Sequence, residues 1–481
     1  MNKKMTRYML GKMLGVEGLV LLIPAMVSLI YGEDVWKYFG ITSAILFAIY
    51  LLFGHKKPEN TQIYGRDGFV IIACLWVLWS VFGALPFWLS REIPSYIDAL
   101  FETISGFTTT GSTILVDIEG LSKGLSFWRS FTHWIGGMGV LVFIMVIVSL
   151  EDKNSMHLMR AEVPGPETDK LVPKARQTAR ILYGMYFGLT VLQVVFLLFG
   201  GMSLYDSILH AFSTAGTGGF SNRNISVAYY DSAYIEAVIT VFMVLFGINF
   251  NMYYFLLLRK AKAVFNNEEV RVYLGVIVGA TALITVNILS VYGNVIKAFR
   301  YAAFQVASII TTTGFMSADY NVWPEFSKSI LLLVMVVGAC AGSTGGGMKV
   351  SRIIILIKSV GRELKRLLHP KSVNIVKING KKVATETLQG VYMYFAAYVM
   401  IFVVSVLLIS LNNFDFATTF SGVLTTLNNV GPGISALGPT ENFSAFSNFS
   451  KIVFSMNMLI GRLEIFPFLV MFHPDLWRKK F

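Results

Sequence analysis

Thr109-Thr110-Gly111-Ser112 is the first of four short glycine segments set into a very apolar chain. The others are Thr217-Gly218-Gly219-Phe220, Thr312-Thr313-Gly314-Phe315 and Asn429-Val430-Gly431-Pro432. Their key glycines, Gly111, Gly219, Gly314 and Gly431, lie 108, 95 and 117 residues apart. Each segment follows a short apolar stretch and precedes a long one. Four copies of span, half-span, glycine strand and span predict an ion pore folded from one chain. In such a unit the half-span brings a helix partway into the bilayer. The strand then turns its carbonyls toward an axis, where they replace the water around a cation.

The residue types suit that task. Aiming successive carbonyls at one axis demands backbone angles that glycine adopts at little cost. Small Thr and Ser neighbours fit the crowded space and add hydroxyls. Backbone that is neither helix nor barrel survives at membrane depth only where it lines a cavity or is buried in protein. A glycine at the key position of all four units favours potassium over sodium. The fourth unit, Asn428-Asn429-Val430-Gly431-Pro432, departs most, so the filter is asymmetric.

Composition sets the class. Of 481 residues, 55% are hydrophobic and only 14% charged, too little charge to cover a soluble surface. Several stretches stay apolar for about 20 residues, the length that crosses a bilayer. The expected fold is an all-α polytopic membrane protein, with two N-terminal helices ahead of four helix–pore loop–helix units. Spans are expected at 13–31 and 36–54, then in pairs at 67–90 and 127–150, 179–201 and 232–258, 271–292 and 326–358, and 386–411 and 447–472. The half-helices fall at 96–108, 204–215, 296–311 and 414–427. The corresponding units are 1–66, 67–178, 179–270, 271–385 and 386–481. Asp98 and Asp206, each 13 residues ahead of its key glycine, suit the positive ends of the half-helices as caps.

The net charge of +12 follows the same threading. Thirty of the 40 Lys and Arg residues fall before residue 13 or in 55–66, 151–180, 259–271, 349–382 and 478–480. All these regions lie on one side, which makes it the cytoplasmic side, with both termini inside. Nucleic-acid binding is not needed to explain the charge. Cys74 and Cys340 sit in apolar runs and read as buried free thiols, with no CxxC metal pair.

Ala341-Gly342-Ser343-Thr344-Gly345-Gly346-Gly347 interrupts an expected span. Each interior glycine costs a helix about 1 kcal/mol, so the helix should break into an irregular loop below the filter and obstruct the pore. A phosphate-binding P-loop does not fit, because Lys349 lacks the required neighbours and a span precedes the loop. Arg462, read as mid-span, is functional by default. It serves either as a positive barrier in the pore or as a partner of Glu464 or of the glycine loop's carbonyls. His133 reads as helix packing. No HExxH, G-x-S-x-G or nucleotide fingerprint appears, so an enzyme is not expected. Alternation around Asn379-Gly380 predicts a two-residue hairpin within 373–383, a docking surface for a soluble regulator beside the gate.

These residues resemble the bacterial TrkH/KtrB superfamily of potassium uptake proteins. The likeness is carried by Phe101 through Gly111, Trp128 through Gly139, Thr311 through Phe315, Gly338 through Lys349, His369-Pro370 with its hairpin, and Gly461-Arg462. The two extra N-terminal spans place it with the TrkH branch. The resemblance implies a homodimer with one pore per protomer in the lipid of the bacterial inner membrane. It also implies a cytosolic ring of RCK-type nucleotide-binding subunits, TrkA in this branch, whose nucleotide controls the gate. Potassium is then the substrate, and the chain itself carries no organic cofactor. The match makes Thr109, Thr110, Gly111, Thr217, Gly218, Gly219, Thr312, Thr313, Gly314, Asn429, Val430 and Gly431 filter positions. Potassium would sit at Thr110, Gly111, Gly218, Gly219, Thr313, Gly314, Val430 and Gly431. Gly342, Ser343, Thr344, Gly345, Gly346 and Gly347 become the gate loop, with Arg462 as the pore arginine. The rival readings are a secondary transporter coupling potassium to sodium or protons, which would need ionisable midplane groups, and a membrane scaffold without transport.

Overall fold

A computed structural model describes residues 2–62, 65–139 and 175–474. It is almost wholly helical, and its only strands are the two of a short hairpin among the described residues. Six described helices are long and apolar enough to cross a membrane, and a bent pair makes a seventh. The remaining expected spans differ for separate reasons. The 127–150 span is described only to residue 139, after the helix Lys123–Gly137. The 326–358 span is interrupted between Glu325–Val337 and Val350–Leu368, and the 447–472 span between Asn448–Arg462 and Phe466–Val470. The basic stretch 151–174 and the C-terminal 478–480 lie outside the described residues.

The first span runs from Lys3 to Ile30 and so begins ten residues earlier than expected. Its lysines extend the helix at no great cost, because their apolar stems lie along the protein while the charges reach the interface. Gly11, Gly15 and Gly18 stack along it against Gly54, Tyr50 and Leu46 of the second span. Small residues at this spacing let two helix backbones approach closely inside a bilayer. Asn2 bonds the carbonyls of Asn60 and Gln62 and approaches Asp67. The N-terminus and the loop after the second span therefore share one face.

Four half-helices follow, at Tyr96–Phe107, Leu204–Gly216, Val295–Ile310 and Phe416–Asn428. Their N-caps are Ser95, Ser203, Asn294 and Asp415, whose side chains accept first-turn amides. This corrects the expected role of Asp98 and Asp206, since the serine three residues earlier holds the cap in each case. Asp98 instead pairs with Lys451 at 2.7 Å. Asp206 accepts from Asn222, Tyr230 and Arg223. Both carboxylates thus tie the half-helix mouth to neighbouring chain, in an end-of-helix field that already favours negative charge.

The expected span 232–258 is not continuous. Ala233–Phe246 and Phe250–Leu257 meet at 92° across Gly247-Ile248-Asn249. Arg462 is the last residue of Asn448–Arg462, so it sits at a helix end and not in mid-span. Cys340 is buried, whereas Cys74 is only half-buried.

Candidate ion pathway

The four glycine segments share one backbone conformation. Within two residues of its last turn each half-helix is followed by a residue turned left-handed: Thr109 (φ 53°), Thr217 (55°), Thr312 (58°) and Asn429 (56°). Two residues later comes a left-handed glycine: Gly111 (83°), Gly219 (78°), Gly314 (83°) and Gly431 (102°). Between them the amides of Thr110, Gly218, Thr313 and Val430 reach back to carbonyls of Ser105, Ser213, Ser308 and Thr425, at 2.8–3.0 Å. Three of the first left-handed residues are β-branched threonines, a costly choice there. Strain of this kind, about 1–3 kcal/mol per residue, persists where surrounding structure enforces it. The sequence showed the glycines; the left-handed threonines carried no signal of their own.

The segments meet in a closed cycle. A Cβ added at Gly111 would fall on the carbonyl oxygen of Gly218, at Gly219 on that of Thr313, and at Gly314 on that of Val430. At Gly431 it would lie 2.8 Å from the carbonyl oxygen of Thr110, which returns to the start. Each glycine therefore lets the next unit's carbonyl approach, and the order around the axis follows the chain. Asn429 donates to the Thr110 hydroxyl at 3.0 Å and Ser112 to the Gly431 carbonyl at 3.1 Å, which closes the fourth unit onto the first. All four key glycines line one cavity. The half-helices aim their C-terminal, partly negative ends at this ring, a field that favours a cation.

The glycine loop lies against the base of the ring. Helix Glu325–Val337 stops at Gly338, and the chain stays irregular until Val350–Leu368. Gly338, Gly342, Gly347 and Lys349 all adopt positive φ. The Gly346 amide bonds the Thr312 hydroxyl at 2.6 Å, and the Gly347 amide bonds the Asn428 carbonyl at 3.0 Å. Three more of the loop's hydrogen bonds are made with the broken span. Cys340 donates to the Gly247 carbonyl, Phe250 to the Gly342 carbonyl and Thr344 to the Phe246 carbonyl. Two interrupted helices satisfy each other's freed backbone groups, as hydrocarbon surroundings require. That is why the 232–258 span breaks at a single glycine, a feature its own letters do not announce.

Arg462 binds across this region. It donates to the carbonyls of Thr344 (2.8 Å), Gly137 (2.8 Å) and Gly136. Glu464 is the partner of Arg352 instead, whose guanidinium also lies over Tyr394 at 3.9 Å. His133 is fully buried and stacks on Phe220 at 4.1 Å, with its ring against Gly218.

Consecutive carboxylates connect the loop to the basic face. Glu269, buried at the start of Glu268–Tyr292, accepts from the Ala341 amide (2.7 Å) and the Ser351 amide (3.1 Å), one at each end of the glycine loop. Glu268 pairs with Lys358 and exchanges bonds with Asn379 of the hairpin turn. That hairpin pairs Lys377 with Lys382 and Ile378 with Lys381. Asn379 and Gly380 both take positive φ, the type I′ geometry that favours Asn-Gly. Neither glutamate stood out in the sequence, because an acidic pair at a helix start reads as ordinary dipole complement.

These features define a class: a multi-pass membrane protein in which four helix–loop–helix units enclose one axis. Residues 37–479 match the TrkH family, described as a cation transport protein. The chain is 38% identical to the Trk system potassium uptake protein TrkH of Escherichia coli strain K12 over 465 residues, covering 95% of this chain and 96% of the relative. It is 36% identical to the Halomonas elongata TrkH, with 100% of both chains covered. The crystal structure of the potassium transporter TrkH from Vibrio parahaemolyticus superposes with a TM-score of 0.89 at 33% identity, covering 99% of this chain and 100% of that one. This chain belongs to the TrkH family.

Proposed function

We propose that this chain is a potassium uptake protein of a bacterial inner membrane. In this reading potassium passes through the four-glycine ring and is held back below it by the glycine loop and Arg462. The observation that carries the proposal is the closed cycle in which each glycine admits the neighbouring unit's carbonyl. Four carbonyls on one ring replace a potassium ion's hydration shell. Inward movement needs no coupled ion, because an inside-negative potential supplies about 2.3 kcal/mol per charge per 100 mV. The shared face of Asn2 with residues 60–67, and of Glu268 with Lys358 and Asn379, supports threading the basic loops on one cytoplasmic side.

One chain completes the ring, so a homodimer would carry two separate pores. The hairpin is the surface we assign to an RCK-type nucleotide-binding subunit, since Glu268 and Glu269 join its turn to both ends of the glycine loop. In proteoliposomes under an imposed potential, potassium and rubidium flux well above sodium flux is expected, with no sodium or proton gradient. Flux that appears only with such a gradient would favour the coupled transporter instead.

Arg462 places a positive group beside the loop, and its three carbonyl bonds hold the loop to the helix Lys123–Gly137. Arg462→Ala removes both the charge and the bonds. Potassium flux several-fold above that of the unmodified protein is expected; unchanged or lower flux in folded protein would reject the barrier role.

A further inference from the structure

The outer ends of the four strands are not supported equally. The position nine residues ahead of the key glycine is Glu102, His210, Gln305 and Gly422 in successive units. Glu102 accepts from the Thr113 hydroxyl at 2.9 and 3.0 Å and from the Ile114 amide at 3.0 Å, just beyond Gly111. It also accepts from Arg129 Nε at 2.6 Å, with both side chains at most 2% exposed. Arg129 in turn donates to the Ser221 carbonyl at 2.9 Å and lies 3.6 Å above the Phe220 ring, just beyond Gly219. One buried ion pair thus fastens strand one to strand two. His210 reaches the Ser221 hydroxyl of its own strand at 3.1 Å. Gln305 reaches only the more distant Ala318 carbonyl. Gly422 has no side chain, and its surroundings are Leu437 and Phe454. At this one position the side chain's contribution falls from ionic to neutral to none. Strands three and four are held by other, neutral groups: Ser308 on the Phe315 carbonyl (2.7 Å), Tyr320 on the Gly433 carbonyl (2.9 Å) and Ser421 on the Ile434 amide (3.1 Å).

We propose that the Glu102–Arg129 pair is a specificity-determining positioning device, resting on the reading of the ring as a cation filter. A smaller ion binds well only if the carbonyls close in around it. Strands fastened from behind resist that contraction, so the ring keeps the spacing that suits the larger ion. Glu102 is buried away from the cavity and Arg129 lines it beside Phe220 and Ser221. The pair acts on the strands through Thr113, Ile114, Phe220 and Ser221. Arg129 left without its carboxylate would also stand as a buried, unpaired positive charge behind the pathway, an arrangement that is strongly unfavourable.

The test compares potassium and sodium flux into proteoliposomes for the unmodified protein and for Glu102→Gln, Glu102→Asp and Thr113→Val. A potassium-to-sodium ratio reduced at least fivefold is expected for Glu102→Gln, with partial retention in Glu102→Asp, which keeps the charge. Thr113→Val removes the hydroxyl that donates to Glu102 and accepts the Leu115 amide while leaving the buried pair in place, so a smaller reduction is expected. A purely structural role would lower the yield of folded protein or all fluxes together and leave the ratio alone. An unchanged ratio in folded Glu102→Gln, or in Thr113→Val should the first not fold, overturns the proposal. No discrimination in the unmodified protein, measured in the same vesicles, would overturn the filter reading itself.

Discussion

Replacing Gly219 with alanine is expected to abolish discrimination between potassium and sodium, lowering the flux ratio at least tenfold in a protein that still inserts and purifies. Two effects act together. Gly219 has φ 78°, where an L side chain is disfavoured by about 1–2 kcal/mol. The added methyl would also overlap the Thr313 carbonyl oxygen of the next unit. The second effect is the larger, because backbone cannot move aside as a flexible side chain would. Strands two and three must separate, and the carbonyl ring widens on that side. The atoms nearest the new methyl belong to Thr313 and Gly314, and the half-helix Leu204–Gly216 keeps its Ser203 cap. A flux ratio equal to that of the unmodified protein would show that this glycine does not set the ring.

Glu269→Leu is expected to raise basal cation flux by roughly 5- to 150-fold, the range that a bias of about 1–3 kcal/mol between two states produces. The carboxylate holds the amides of Ala341 and Ser351, at opposite ends of the glycine loop. Leucine leaves both donors buried and unmet, at a cost of about 1–3 kcal/mol for each. That cost falls on the conformation in which the loop is anchored, so loop conformations that free the pathway gain population. Glu268, with its bonds to Lys358 and Asn379, stays in place, so the hairpin should keep its position. Flux at or below the unmodified level in monodisperse protein would sink the idea that Glu269 latches the loop.

Local chemistry made much of this architecture legible in the sequence. The Asn379-Gly380 turn, the run of glycines from 342 to 347 and the four half-length apolar stretches all act through short-range backbone preferences, and each lies where its residues call for it. What depended on distant partners was not legible. The break at Gly247 exists because the loop around Gly342 supplies the missing hydrogen bonds from nearly a hundred residues away. Arg462 seemed adjacent to Glu464 in sequence, yet in space its partners come from 118 to 326 residues away. Ser95 and Ser203 hold the caps that Asp98 and Asp206, three residues later, would suit equally well by residue type. Four glycines imply a ring, but its cyclic order rests on contacts between units about a hundred residues or more apart.

The most direct test of the central claim is to locate a heavy potassium analogue in the protein. Crystals or frozen particles prepared in rubidium should show density on the axis, coordinated by the carbonyls of Thr110, Gly218, Thr313 and Val430. Sodium in place of rubidium should leave that position weaker. Rubidium density absent from the ring, or bound elsewhere along the pathway with the ring empty, would contradict the account.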